Sequence, residues 1–160
     1  MGNQKEPAKV LISGWLTKKG SANAFSSGNT WRRRYFMLFA PTSSGHGAVL
    51  RYFTSDATTG TPRGDLAILP GSAVRVLDTE ASLVEHGLNG KFLGKRLFAF
   101  HSVPARGERE IARSAFILEA ETTATMQSWV TALAEIVSEA RTTAAGGGGG
   151  GGMVKGGGGG

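Results

Sequence analysis

Two arginines separated by one residue, Arg32 and Arg34, lie near the start of an aromatic and aliphatic segment, WRRRYFMLF at positions 31–39. Alternate side chains of a strand share a face, so Arg32 and Arg34 project together, about 7 Å apart at a rise of roughly 3.3 Å per residue. That spacing suits two guanidinium groups binding neighbouring phosphates of one small polyanion. Phe36 and Leu38 continue the same face, which predicts a strand running from a basic mouth into a packed core. The alternative is a solvated charge run beside a core strand.

The positive charge of the chain is concentrated in its N-terminal part. The net charge is +6, and residues 1–63 contain nine of the 18 Lys and Arg residues but only two of the 12 acidic ones. A one-sided basic patch indicates a nucleic acid, an acidic protein or an anionic membrane as partner, and composition does not choose among them. The absence of cysteine excludes disulfides, thiolate zinc sites and a cysteine nucleophile, and it is compatible with a reducing cytosol.

Composition also predicts the domain organisation. Residues 146–160 read GGGGGGGMVKGGGGG, which cannot bury a core and is typical of flexible coil. We therefore predict a flexible N-terminus over residues 1–8, one folded domain over 9–142 and a disordered glycine-rich tail over 143–160. No apolar stretch approaches the roughly 20 residues that span a bilayer, and none near the start is typical of a secretory signal.

The hydrophobic pattern predicts seven short strands followed by one helix. Strands are expected at residues 9–20, 31–39, 49–53, 65–69, 73–77, 96–101 and 115–120, with a long irregular connection over 79–95. From about Thr123 to Glu139 the apolar residues follow helical steps of three and four, with Trp129 in the stripe. The fold class is therefore mainly β: an antiparallel barrel or sandwich capped at one end by a C-terminal helix.

Three separated motifs resemble those of the pleckstrin-homology (PH) domains. They are GWLTKKG at 14–20 in the first strand, WRRRYFML at 31–38 in the second, and MQSWVTAL at 126–133 in the last helix. Together they span residues 9–140 in the order and with the spacing of the family. The resemblance implies a barrel of two near-orthogonal sheets, with a binding pocket among the loops at the end opposite the helix. Many PH domains bind no lipid tightly, so the fold alone does not decide function.

The resemblance also implies a set of phosphate-binding residues. Lipid-binding members place a lysine late in the first strand and a basic-x-Arg pair in the second, which correspond here to Lys18, Arg32 and Arg34. The alternative for Lys18 is a solvated strand end. Arg33 is expected on the opposite face, as a surface residue or an ion-pair partner.

Three further positions match subgroups of the family. Tyr52 and Arg63 resemble the phosphate-contacting tyrosine and arginine of cytohesin-type domains, although Tyr52 could equally be a packing residue. Arg113 resembles the arginine that protein kinase B-type domains present before the seventh strand. The loop over residues 20–30 departs from the strong binders because it contains no basic residue, and Phe25 in it could enter a membrane interface or fold back onto the barrel.

These features predict a phosphoinositide-binding module that recruits the protein to anionic membranes through a basic pocket. The alternative is a PH scaffold that binds acidic protein segments with weak or no lipid specificity. We expect a cytoplasmic monomer that associates reversibly with the cytosolic face of membranes, without nucleic acid or cofactor. No enzyme is expected, because His46, His86 and His101 lack metal spacing and a nucleophile partner. Myristoylation at Gly2 is a weaker option.

Overall fold

The computed structural model describes residues 8–20, 30–58, 60–102 and 115–153. The described residues form seven strands, with two short helices between the fifth and the sixth, followed by a long helix. The elements are β1 (Val10–Lys19), β2 (Trp31–Phe39), β3 (Val49–Phe53), β4 (Gly64–Ala67), β5 (Ala73–Val76), α1 (Glu80–Glu85), a short 3-10 helix (Gly90–Phe92), β6 (Leu97–His101), β7 (Ala115–Glu119) and α2 (Thr123–Met153). The predicted strands thus occur at their predicted places, with ends shifted by one or two residues.

The seven strands form one antiparallel sheet in the order β4-β3-β2-β1-β7-β6-β5. The strands therefore belong to one hydrogen-bonded sheet, with β4 and β5 at its two edges. The sheet curls, since the Ser102 hydroxyl after β6 donates a 2.6 Å hydrogen bond to the Ala67 carbonyl at the end of β4. The curled sheet and the C-terminal helix confirm the predicted fold class.

The core lies between the inner face of the sheet and α2. Phe36 and Leu38 of β2 are fully buried, as alternation from Arg32 and Arg34 predicts. From α2, Trp129 and Leu133 enter the same cluster, and the Trp129 ring lies 6.4 Å from that of Phe36, edge to face. The helix thus covers the inner face of the sheet with its apolar stripe.

The prediction of an irregular connection over residues 79–95 was wrong. The structure has α1 there, and Thr79 and Ser82 form a reciprocal capping box at its start. This signal was missed because the usual Glu or Gln of the box is replaced by serine. Leu83 and Leu88 pack against the outer face of the sheet, so β6 is buried on both faces.

The predicted coil in the glycine-rich tail also differs from the structure, in which α2 continues to Met153. Glycine is disfavoured in helices by about 1 kcal/mol relative to alanine. The apolar residues that dock α2 on the sheet end at Ala140, so packing stabilises the part of the helix that precedes the glycine run.

Removal of an α2 core side chain should destabilise the domain strongly. We expect Leu133→Ala, at a fully buried position, to lower the free energy of unfolding by about 2–5 kcal/mol because it leaves a cavity. The exposed Thr131→Ala on the same helix should change it by no more than about 0.5 kcal/mol. Urea unfolding followed by tryptophan fluorescence measures both, and equal effects would contradict the packing of α2.

Candidate functional site

Antiparallel pairing of β1 with β2 brings three cations to one end of the sheet. Lys18 lies directly opposite Arg32, and Leu16 lies opposite Arg34. Cross-strand partners share a face, and Arg32 and Arg34 share theirs by alternation. The three basic side chains therefore lie on the inner face, on the side of the sheet that Phe36 and Leu38 continue into the core.

These side chains surround a pocket of about 150 Å³. Its lining residues are Lys18, Gly20, Arg32, Arg34, Tyr52 and Arg63. Five of the six predicted site residues thus lie around one cavity, which arises from four elements of the chain that sequence spacing alone does not connect. The sixth, Arg113, lies outside the described residues, as does Phe25.

Gly20 belongs to the pocket although the sequence analysis did not select it. Its backbone N–H donates to the Thr30 carbonyl at 2.6 Å, which joins the chain at the ends of β1 and β2. A Cβ at this position would lie 3.0 Å from the same carbonyl oxygen. The glycine therefore permits a close approach of two backbones at the pocket wall. Its signal in the sequence is its place as the last residue of the GWLTKKG motif.

Lys18 is partly enclosed by aromatic rings. Its ammonium lies 4.9 Å from the centre of the Phe116 ring and 5.4 Å from that of Tyr52, so both aromatic faces contact the charge. Burial lowers the pKa of Lys18 below its ordinary value of 10.5, and the positive charges of Arg34 and Lys19 lower it further. The solvated strand end considered for Lys18 does not describe this environment.

Tyr52 forms part of the core as well as of the pocket lining. Its ring stacks on Phe36 at 5.3 Å and contacts Phe116 edge to face at 5.5 Å. Gly64, its partner across β3 and β4, permits this position, because a Cβ on Gly64 would lie 2.9 Å from the tyrosine ring. The packing role considered for Tyr52 is therefore observed, with its ring exposed to the pocket on one side.

Arg63 reaches the pocket from the loop before β4. Its backbone N–H donates to the Tyr52 carbonyl at 2.8 Å, which anchors the loop beside β3. Its side chain is exposed at the rim. The backbone of Arg63 is therefore held in place, while its exposed guanidinium can reach a ligand.

The pocket cations have no carboxylate partners among the described residues. The ion pairs there join Arg33 to Glu121, Arg51 to Asp65 and Arg75 to Glu85, at 3.1, 3.5 and 3.2 Å. Arg34 donates to the Arg33 carbonyl at 3.0 Å, which leaves its charge uncompensated. The site is therefore a cluster of like charges that an anion would neutralise.

Arg33 lies on the outer face, as predicted. It forms the ion pair with Glu121, and its guanidinium lies 4.5 Å from the centre of the Trp15 ring. Trp15 in turn contacts Tyr35 edge to face at 5.4 Å. The middle arginine of the triplet is thus engaged by neighbours of its own, whereas the two flanking arginines face the pocket.

A sequence comparison with known families gives one match. A family model described as PH domain matches residues 10–138, most of the chain. The sequence matches none of the curated proteins. No helix within the described ranges combines the length and apolar character needed to cross a bilayer.

Solved structures of PH domains share the fold at low sequence identity. The solution structure of the PH domain of human KIAA0053 protein is 23% identical, has a TM-score of 0.57 and covers 86% of this chain and 95% of its own. The carboxyl-terminal PH domain of pleckstrin is 19% identical, with a TM-score of 0.53 and coverages of 82% and 99%. The Slm1 PH domain in complex with inositol-4-phosphate is 15% identical, with a TM-score of 0.51 and coverages of 81% and 98%.

The contact between Gly64 and Tyr52 gives a test of the pocket floor. We expect Gly64→Ala to displace the Tyr52 ring and to destabilise the domain by about 1–3 kcal/mol, because the added methyl group overlaps a ring packed on both sides. Gly47→Ala is the matched control, since a Cβ there meets nothing within 4 Å. Chemical unfolding and the ring proton shifts of Tyr52 measure the effect, and unchanged shifts would contradict the described geometry.

Proposed function

The chain belongs to the PH domain family, and from that premise we propose that it is a phosphoinositide-binding module that brings the protein to anionic membranes. The observation that carries the proposal is the pocket in which Lys18, Arg32, Arg34 and Arg63 converge without a carboxylate partner among the described residues. Tyr52 completes its floor, and Arg113 is proposed as a further contact from the resemblance alone.

The residue types fit a polyphosphorylated headgroup. Arg32 and Arg34 present planar forks of donors that match phosphate oxygens in pairs, whereas Lys18 supplies a single charge from below. Hydrogen bonds to charged groups contribute about 1.5–3 kcal/mol each. Three or four of them support micromolar affinity, which corresponds to about −8 kcal/mol. Nearby basic residues add about 1 kcal/mol each at an anionic leaflet.

Enclosure of Lys18 makes the pocket selective for multiply charged ligands. In the free protein, burial and neighbouring cations disfavour the charged ammonium. A bound anion would reverse that electrostatic balance, and a polyphosphate would do so more strongly than a single diffuse charge. We therefore favour an inositol phosphate headgroup over general attraction to an anionic surface, and we propose reversible association with the cytosolic leaflet.

The second candidate function is a PH scaffold that binds acidic protein segments. The same cations would serve it, so charge does not separate the two proposals. Geometry favours the headgroup, because a cavity of about 150 Å³ fits one compact ligand, whereas an extended acidic peptide would need a groove. Binding of an acidic peptide without retention on phosphoinositide vesicles would support the scaffold.

Arg34→Ala, with Arg33→Ala as its matched control, tests the pocket. Both variants remove one positive charge from the same strand, but only Arg34 lines the cavity. We expect Arg34→Ala to weaken binding to phosphoinositide vesicles by about ten- to a hundredfold, equivalent to the 1.5–3 kcal/mol of one charged hydrogen bond. Arg33→Ala should weaken it by no more than about fivefold, equivalent to about 1 kcal/mol of surface attraction.

The measurement is vesicle co-sedimentation of the full chain. The vesicles contain phosphatidylcholine alone, phosphatidylserine at matched total charge, or phosphoinositide. Equal losses of vesicle binding in the two arginine variants would indicate general charge attraction in place of a specific pocket. Retention of phosphoinositide binding by Arg34→Ala would contradict the pocket.

The lowered pKa of Lys18 predicts how affinity depends on pH. A bound polyphosphate raises the pKa of Lys18 again, so the complex holds a proton that the free protein loses first as the pH rises. As the pH rises, affinity for a soluble inositol phosphate should therefore start to decrease before pH 10.5 is reached. The phosphates are already fully ionised in this range, so their own titration does not contribute. Lys18→Arg should remove this decline, because arginine stays charged. Calorimetric titrations across this range test the expectation, and identical pH profiles would contradict it.

A further inference from the structure

Two histidines form a contact away from the proposed pocket. His86 ends α1 and His101 ends β6, and their Nε2 atoms lie 3.0 Å apart, with ring centres separated by 5.1 Å. Both rings are half-buried. The contact joins the helical segment over residues 79–95 to the outer face of the sheet, where Leu83 and Leu88 also pack.

The hydrogen bonds of the pair determine where its protons lie. The Nδ1 atom of His86 lies 2.7 Å from the Ser82 carbonyl oxygen, which can only accept. Nδ1 therefore carries the proton, and Nε2 of neutral His86 is an acceptor. The Nε2–H of His101 must then donate to it. In this arrangement both N–H groups of the neutral pair are hydrogen-bonded, with one tautomer for each ring.

Protonation affects this arrangement in two steps. One added proton leaves a hydrogen bond between the rings, because the second ring still offers a lone pair. Two added protons place an N–H group on each facing Nε2 atom, so the rings repel each other and have no acceptor between them. The contact therefore tolerates one charge and is broken by two.

The charged groups around the pair come from the neighbouring elements. Arg75 of β5 faces the pair, and its charge is partly balanced by its 3.2 Å ion pair with Glu85 of α1. The cross-strand neighbours of His101 are Ala73 and Ala115, which carry no charge. Burial, His86 and Arg75, in this order, lower the pKa of His101 below 6.5. No group of three or more potential metal ligands occurs within the described ranges.

We propose that His86 and His101 form a pH-sensitive latch, which holds the 79–95 segment against the sheet when neutral and releases it when both rings are charged. Release would loosen Leu83 and Leu88 from the cluster into which Trp31 packs. Trp31 directly precedes Arg32 on β2. Acidification thereby weakens the support behind the pocket end of β2. The latch is independent of any lipid.

The direction of the effect follows from proton linkage. A histidine with a lowered pKa in the folded state binds protons more weakly there than in the opened state. The opened state therefore takes up more protons as the pH falls below 6.5, and the closed latch loses stability in this window. Well above pH 6.5 His101 is neutral in both states, and the latch contributes fully.

Amide hydrogen exchange of the full chain at pH 7 and at roughly pH 5 tests the latch. The amides of Gly87 and Leu88 report on it, since they bond to Val84 and Leu83 inside the segment. We expect their protection factors to fall by about tenfold on acidification, because local opening of the segment exposes these amides to exchange. Amides of the β1–β2 ladder serve as internal references and should keep their protection.

Variants at His101 and at His46 identify the responsible group. His101→Gln retains a donor but does not titrate, so the acid-induced loss of protection should disappear. His46→Gln is the matched control, because His46 lies in the β2–β3 turn, and it should behave as the wild type. Unchanged protection of Gly87 and Leu88 in the wild type would overturn the latch, and so would an equal loss in His101→Gln, since the loss would then not require the histidine pair.

Discussion

Antiparallel pairing of β1 with β2 is the constraint on which the rest of the structure depends. The register sets Lys18 opposite Arg32 and continues inward to Gly14 opposite Phe36. Because alternate residues share a face, one strand supplies the basic lining at its start and core residues further along. The same alternation turns Arg33 to the outer face, where Glu121 and Trp15 engage it. A shift of one residue in this register would exchange the two faces and abolish pocket and core together.

Features that depend on local periodicity were predictable from the sequence. The bounds of β2 and β3 and the apolar stripe of the last helix follow from steps of two or of three and four residues. The gathering of Lys18, Tyr52 and Arg63 around one pocket was expected only through the family resemblance. These residues lie on β1, on β3 and in the loop before β4, and strand patterns do not predict that these elements meet.

Features that depend on unusual local chemistry were not predictable. The capping box of α1 pairs Thr79 with Ser82 in place of the common acidic or amide partner, so the expected signal is absent. Gly20 lines the pocket because two backbones approach closely, which is a tertiary requirement without a sequence pattern. The continuation of α2 into the glycine run runs against the poor helix propensity of glycine, so the sequence carries no signal for it.

A continuous series of aromatic contacts runs from Tyr52 through Phe36 to Trp129. At one end of the series Tyr52 lines the pocket, and at the other end Phe36 packs against Trp129 of α2. Variation at this floor would trade affinity against folding, whereas variation at the exposed Arg32 and Arg63 would not. In a fold with such a floor, substitutions at the rim and its loops can therefore change ligand preference without disturbing the core, whereas substitutions in the aromatic series change both.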